Sequence, residues 1–470
     1  MKRGNIIANL DWFTVLLFIL MIFLGWLNIF SAIYNESHPS ILDFNQKYGK
    51  QFLWILAAIV MAVAILLIDH RFFEFFGYFI YAVAIITLLA VLIVGKEING
   101  SKSWFVMGGF QIQPSEFAKP AVALALAKYL STFNINIQKV RTFVKVGVII
   151  FLPALLILLQ PDTGSALVFF AFVFPVYREG FSGMILVTMF TLALLFILVL
   201  LFNELLLLLI ILVIGFAAYW LLARNFRNMM IAFLIFAGFF IVSYGTLYLF
   251  GQNSAFYAAT LIALAFSLAS FLVMAYIYRI RKIGMLILAV TIVVFYTFAV
   301  DYSFEHFLSD YQQRRVNIML GIQSDPLGAG YNVNQSMIAI GSGGFAGKGF
   351  LQGTQTKLDF VPEQSTDFIF CTVGEEWGFI GTFFVILLFL TFFIRLIQLA
   401  ERQKENFARI YGYGIISVIF IHFFINIAMT IGLFPVVGIP LPFFSYGGSS
   451  LWAFTIMLFI FLRLDAGRME

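Results

Sequence analysis

The sequence predicts an all-α, polytopic membrane protein, and three observations predict it. Of 470 residues, 62% are apolar and only 11% charged, whereas a soluble domain carries about 25% charged residues. Apolar runs of roughly 18 residues or more recur from end to end, each able to cross a hydrocarbon core about 30 Å thick as a helix. Basic residues fall in alternate short connections, the asymmetry that orients membrane helices.

Taken in order, fourteen apolar segments emerge, at roughly 12–34, 52–68, 73–94, 116–131, 142–160, 163–177, 183–202, 204–222, 229–250, 254–278, 283–303, 367–395, 407–432 and 448–464. The first exceeds a signal-peptide core and lacks a small-residue cleavage site behind it, so it is expected to remain as the first transmembrane helix. Placing Lys2 and Arg3 in the cytoplasm makes alternate connections basic: Arg71, Lys139 with Arg141, Arg178, Arg224 with Arg227, Arg279 with Arg281 and Lys282, and Arg402 with Lys404 and Arg409. Arg463 and Arg468 put the carboxyl terminus on the same side. Opposite connections at 161, 203, 251–253 and 433–447 carry no Lys or Arg, while Lys47, Lys50, Lys96 and Lys102 are exceptions to the bias. Both termini are therefore expected in the cytoplasm, and 304–366 becomes one large extracytoplasmic loop of a single integral membrane domain, 1–470. The net charge of +5 sets orientation and does not call for nucleic acid. A single cysteine, Cys371, excludes an internal disulfide and a thiolate metal cluster.

The long outer segment concentrates polar residues that the remainder lacks, and its length far exceeds an ordinary connection. ATP is absent outside the cytoplasmic membrane, so chemistry there needs a preactivated substrate. Asp310 opens the run Asp310-Tyr311-Gln312-Gln313-Arg314-Arg315, placing a carboxylate beside cations. Composition alone reads it as a solvated loop aspartate, with a catalytic carboxylate as the alternative. The glycine-rich run from Gly341 to Gly349 fails as a nucleotide loop, because Ser342 and Gly349 stand where Gly and Ser or Thr are needed. A tight turn and a backbone nest for a diphosphate both remain open for it.

Within the membrane, Glu116 and Lys119 stand three residues apart and share a helix face, so they can pair. Ionisable groups at that depth are costly and mark function by default. Asp162 after Gln160-Pro161 is expected to cap a helix start, and Glu375 and Glu376 should face protein or water. The histidines, His38, His70, His306 and His422, are scattered and none share the i, i+4 spacing of a helical zinc motif.

These residues fall into motifs. Asn99-Gly100 leads to Trp104; Gln113-Pro114-Ser115-Glu116 precedes Lys119; then come Gln160-Pro161-Asp162, Asp310-Tyr311-Gln312, Asp325-Pro326 with Gly328, Gly330 and Tyr331, and Gln335-Ser336. Gly347-Lys348-Gly349, Gly353-Thr354-Gln355, Pro362-Glu363, Thr366-Asp367-Phe368, Glu375-Glu376 and Ser445-Tyr446-Gly447-Gly448-Ser449 follow in order. In this set, spanning 12–177 and 283–464, the chain resembles the shape, elongation, division and sporulation family that includes RodA, FtsW and SpoVE. Ala339 to Gly344 and Val437 to Pro442 look like its elongation branch.

The resemblance implies a peptidoglycan glycosyltransferase of the bacterial cytoplasmic (inner) membrane. It would polymerise lipid II onto a glycan carried by undecaprenyl diphosphate, with its active site facing outward. Asp310 matches the family's essential aspartate and is expected to act as general base. Lys119, Arg314, Arg315 and Lys348 are candidates to neutralise the departing diphosphate, with a divalent cation as the alternative counter-ion and no other cofactor implied. Glu116, Gln335, Ser336 and Gln355 join them as expected substrate contacts. The implied partners are a class B penicillin-binding protein and the cell-elongation complex.

Two motif positions depart from the family, Ser103 before Trp104 and Thr163 after Asp162. The family has ten helices, so about four are inserted here, at 183–278, an even number that leaves Asp310 outside. Those helices read as lipid-facing, with a partner-docking surface as the alternative. A lipid-substrate flippase and a noncatalytic scaffold of a cell-wall complex are the rival functions.

Overall fold

The computed structural model describes residues 6–34, 43–98, 100–108, 110–132, 139–223, 226–250, 255–277, 281–306, 308, 310–323, 325, 328, 330–358 and 360–468. Lys2, Arg3, His38, Asn99, Arg224, Arg279 and Pro326, named above, lie outside them. Each of the apolar segments coincides with a helical stretch. Among the described residues, 10 helices are long and apolar enough to cross a membrane. The chain divides into two compact units, Met1–Leu186 with Asp325–Glu470, and Val187–Ser324.

In the first unit α1 (Ile6–Asn9) precedes α2 (Trp12–Ile33), α3 (Lys47–Leu67) and α4 (His70–Val94). Side-chain caps define two of these starts: Asp11 accepts from the amide of Thr14 at 3.1 Å and Asp69 from that of Arg71 at 2.9 Å. The next segment corrects the all-α expectation. Residues 96–112 form a three-stranded antiparallel sheet, β1 (Lys96–Ile98), β2 (Ser101–Met107) and β3 (Phe110–Ile112), with Lys96 opposite Trp104 and Phe105 opposite Ile112. Gly100, at φ 80°, takes the left-handed conformation that the first tight turn requires.

Pro114 then opens α5 (Pro114–Ser131) at a position where its missing N–H costs nothing. After α6 (Val140–Leu158), the segment expected at 163–177 is broken into α7 (Thr163–Val168), a 3-10 turn (Phe169–Phe172) and α8 (Val173–Arg178).

The second unit holds α9 (Met184–Leu201) from Val187 onward, α10 (Glu204–Ala223), α11 (Phe226–Leu249), α12 (Ala255–Ile277), α13 (Arg281–His306) and α14 (Asp310–Met319). Two small apolar clusters hold it together, one around Val199, Leu207 and Val300, the other around Leu208, Leu212 and Leu264.

The chain returns to the first unit with α15 (Tyr331–Ser342), α16 (Thr354–Lys357), α17 (Ile369–Glu401), α18 (Asn406–Thr430) and α19 (Gly448–Gly467). The expected long loop is thus partly helical, holding the end of α13 and α14, α15 and α16. Helices α5, α18 and α19 form the interior of this unit, around buried residues such as Leu124, Tyr411 and Phe454. Beyond the far end of α17 ion pairs join separate elements, Arg409 to Glu179 at 3.0 Å and Arg402 to the buried Asp465. Arg178 reaches Glu401 at 3.0 Å. Three of the basic positions assigned to one side by charge, Arg178, Arg402 and Arg409, therefore meet at one end of the unit.

Candidate functional site

Asp310 is the first residue of α14 and is exposed. A carboxylate in the first helical turn is favoured by the amides and dipole there. Arg314, also exposed, follows one turn later on the same face, and Arg315 is half-buried. The Gln313 side chain donates to the carbonyls of Leu308 at 3.0 Å and Glu305 at 3.2 Å, which ties α14 to the end of α13. The expected loop aspartate therefore rides on a short polar helix whose start is anchored.

The glycine-rich run is resolved in favour of a turn. Inside α17, Gly378 leaves helical geometry at φ 61° and ψ −155°, which frees backbone groups that a membrane helix must satisfy within the protein. The turn does so: the amides of Phe379 and Ile380 donate to the carbonyls of Gly344 and Phe345 at 2.9 and 3.2 Å. In return, the amides of Lys348 and Gly349 donate to the carbonyls of Glu375 and Glu376 at 3.0 and 2.9 Å. Those donors are spent on protein, so they do not form a nest for a diphosphate. A Cβ on Gly347, itself at φ 80°, would lie 2.1 Å from the Glu376 carbonyl oxygen, which explains a glycine there.

Just before that break, the buried carboxylate of Glu375 is a hub. It accepts from Lys348 Nζ at 2.7 Å, from the amides of Thr354, Gln355 and Thr356 at 2.7, 2.8 and 3.0 Å, and from the Thr356 hydroxyl at 2.9 Å. It thereby caps α16 and holds Lys348, whose ammonium also donates to the Thr354 hydroxyl at 2.7 Å. Gln355 takes part through its backbone. Neighbouring Glu376 accepts from Ser31 of α2. Both glutamates face protein, as expected.

Glu116 and Lys119 form the predicted pair at 2.6 Å, with 0% of the lysine side chain and 4% of the glutamate side chain exposed. Sequence reasoning missed their third member. Lys119 Nζ lies 2.9 Å from His422 Nε2 on α18, and the imidazole meets the edge of Phe454 from α19. No spacing rule connects positions 119 and 422. The ammonium is thus enclosed by a carboxylate, an imidazole and an aromatic ring, in the interior and away from any open surface.

Asp162 caps α7 by accepting from the Ser165 amide at 3.0 Å, as expected, and also accepts from Gln113 Nε2 at 2.8 Å. Ser336 is fully buried and donates to the Thr430 carbonyl at 2.9 Å, joining α15 to α18, while Gln335 beside it is half-buried. Asn426, also missed, donates to the carbonyls of Asp367 and Ile439 at 2.7 and 2.8 Å. Among the described residues, no three His, Cys, Asp or Glu side chains gather as a metal site. Of the site residues expected from the sequence, Asp310 and Arg314 are exposed, whereas Glu116, Lys119 and Ser336 bond to partners inside the protein.

Comparison with known proteins adds what geometry alone does not. The profile of the FtsW, RodA and SpoVE family, described as cell cycle protein, matches residues 11–212 and 204–469. The chain is 32% identical over 461 residues to peptidoglycan glycosyltransferase RodA of Treponema pallidum, covering 98% of each chain. It is 30% identical to peptidoglycan glycosyltransferase MrdB of Escherichia coli, covering 90% of this chain and 86% of that one. Among solved structures, it is similar to a chain from a peptidoglycan synthase complex that coordinates polymerization and crosslinking, with TM-score 0.60, 24% identity and coverage of 98% and 99%. The rod shape determining protein RodA of Thermus thermophilus matches with TM-score 0.56, 22% identity and 98% of both chains. At that identity these two likenesses concern the fold.

Proposed function

The chain belongs to the cell cycle protein family of FtsW, RodA and SpoVE, and from that membership we infer that it is a peptidoglycan glycosyltransferase that polymerises lipid II during cell elongation. Relatives named for that activity match nearly its whole length. The observation that carries the chemistry is Asp310, an exposed carboxylate heading a polar helix with two arginines one turn on.

The acceptor sugar hydroxyl of lipid II attacks the anomeric carbon of the growing glycan, and Asp310 takes the hydroxyl proton as the new C–O bond forms. The bond from that carbon to the undecaprenyl diphosphate breaks, and the leaving group departs with the electron pair. Arg314 and Arg315 supply positive charge where the departing diphosphate develops negative charge. Lys119 and Lys348 are less suited, because Glu116 and Glu375 already neutralise them. Their role, with that of Glu116, Gln335, Ser336 and Gln355, is to hold the helices and turns of the first unit in place. A divalent cation is the alternative counter-ion, and polymerisation that stops on chelation would reveal it. The energy is stored in the lipid-linked diphosphate, so no ATP is required.

The proposed topology has fourteen crossings, both termini in the cytoplasm and α14 to α16 outside; the meeting of Arg178, Arg402 and Arg409 at one end of their unit supports it. The proposed partner is a class B penicillin-binding protein of the elongation machinery, a reading supported by the synthase complex in which the related chain was solved. Purified protein incubated with lipid II in detergent tests the activity: a polymerase yields glycan strands, whereas a flippase or a scaffold leaves lipid II unconverted.

A further inference from the structure

The second unit contains a cavity enclosed by α10, α11, α12 and α13. Its enclosed part is about 60 Å³ and the open cleft around it brings the space to about 520 Å³, with Gly215, Phe216, Tyr219, Phe236, Ser267 and Val290 in its walls. Among the described residues, none that lines it is charged. Two features show that it is more than a packing defect.

The first is Ser267. Its residue is 3% exposed and its hydroxyl has no hydrogen-bond partner among the described residues. Other hydroxyls on these helices bond back to their own backbone: Thr260 to the Phe256 carbonyl at 2.8 Å, Ser270 to Phe266 at 2.8 Å and Thr291 to Ile287 at 2.9 Å. That local bond is the usual solution for a serine or threonine in a membrane helix. Ser267 forgoes it and presents a donor in the cavity wall, where an unmet polar group is costly. The second feature is Gly215, which leaves this wall without a side chain; an added Cβ would sit in ordinary van der Waals contact with Val290 Cγ2 at 3.6 Å.

We propose that the cavity binds one neutral, membrane-dissolved lipid through a carbonyl group that accepts from Ser267. The absence of lining charge argues against ionic headgroups. A carbonyl suits the Ser267 hydroxyl because it accepts and brings no donor of its own; the other hydroxyl in the lining is that of Tyr219. The carbonyl can belong to an acyl ester or to a quinone; both share the acceptor and the apolar body that Phe216 and Phe236 enclose.

Native mass spectrometry of the purified full-length protein, titrated with methyl laurate, decylubiquinone or dodecane, tests this. One molecule of an ester or quinone is expected per chain, and whichever of the two binds identifies the source. Dodecane, of similar body but with no acceptor, should bind more weakly. Ser267→Ala should weaken the carbonyl probe about fivefold, the worth of one ordinary hydrogen bond, and Gly215→Leu should abolish saturable binding. Ser270→Ala, on the same helix, should leave it unchanged. Equal binding of dodecane and the carbonyl probes, Ser267→Ala indistinguishable from wild type, or no saturable binding by the wild-type chain would each overturn the proposal. Thermal melts establish that each variant is folded before it is scored, and Ser267→Ala, which removes one atom, decides the matter if Gly215→Leu does not fold.

Discussion

The two units are both built from apolar helices and are unlike in construction. In the first, polar side chains reach from one element to another: Glu375 to the amides that start α16, Asn426 to the carbonyls of Asp367 and Ile439, and Arg402 to Asp465. In the second, hydroxyls such as Thr260 and Thr291 bond back within their own helices, and the apolar clusters are small. Burial follows the same division: 83% of the most apolar stretch of α19 is buried, against 0% for α9. Lipid is as apolar as leucine, so apolar contact alone gives membrane helices little reason to choose one another. Polar links between elements are what specify a single arrangement, and they are concentrated in the first unit.

Removing such a link should therefore cost most there. Glu375→Ala would leave the half-buried Lys348 and three amides without their acceptor, and a loss of about 3–5 kcal/mol is expected from several hydrogen bonds to one charged group. A melt in detergent within experimental error of wild type would refute the hub. Lys119→Met should cost slightly less, roughly 3 kcal/mol, because Glu116 becomes an uncompensated buried charge. Glu116→Gln combined with Lys119→Met should recover much of that loss, and additive damage in the double variant would show that the pair is not the cause.

Acid should reach the same unit through Asp11, at the start of α2. Burial pushes its carboxyl up, but hydrogen bonds from Arg395 and Thr14 outweigh that and hold it below the ordinary range. A depressed folded value gives stability that is present above the unfolded pKa, near 3.8, and is lost as pH falls through the lower folded value. Melting temperature should thus fall below that point, with a shallower fall in Asp11→Asn; identical acid profiles would exclude this source. The smallest effect is expected in the second unit. Tyr296→Phe removes a bond of 3.0 Å to the Leu192 carbonyl and should cost about 1 kcal/mol, measurable as a modest shift in the same melt. A loss as large as that of Glu375→Ala would erase the contrast between the units.

How much of this could be read in advance depended on the range of each signal. Local signals were legible: apolar runs marked the helices, the three-residue spacing of Glu116 and Lys119 announced their pair, and Asp162 announced a cap. The hairpin at Gly100 was half legible: Asn-Gly is a strong turn signal, but its flanks, Lys96 to Ile98 and Ser101 to Ser103, are too polar to announce strands. The partnership of Lys119 with His422, the bond between Ser336 and Thr430, and the docking of the glycine turn onto the break at Gly378 join residues remote in sequence. No periodicity links them. The turn was legible as glycine-rich, yet whether its amides faced an anion or a carbonyl depended on where α17 unwinds.

The central claim is that the chemistry rests on Asp310 rather than on the buried charges of the first unit. Its most direct test is glycan polymerisation from lipid II by purified Asp310→Asn, an isosteric change at an exposed position, measured beside the wild-type chain with melts of both. The account predicts a protein that melts as wild type does and makes no polymer. Polymerisation by Asp310→Asn near the wild-type rate would contradict it.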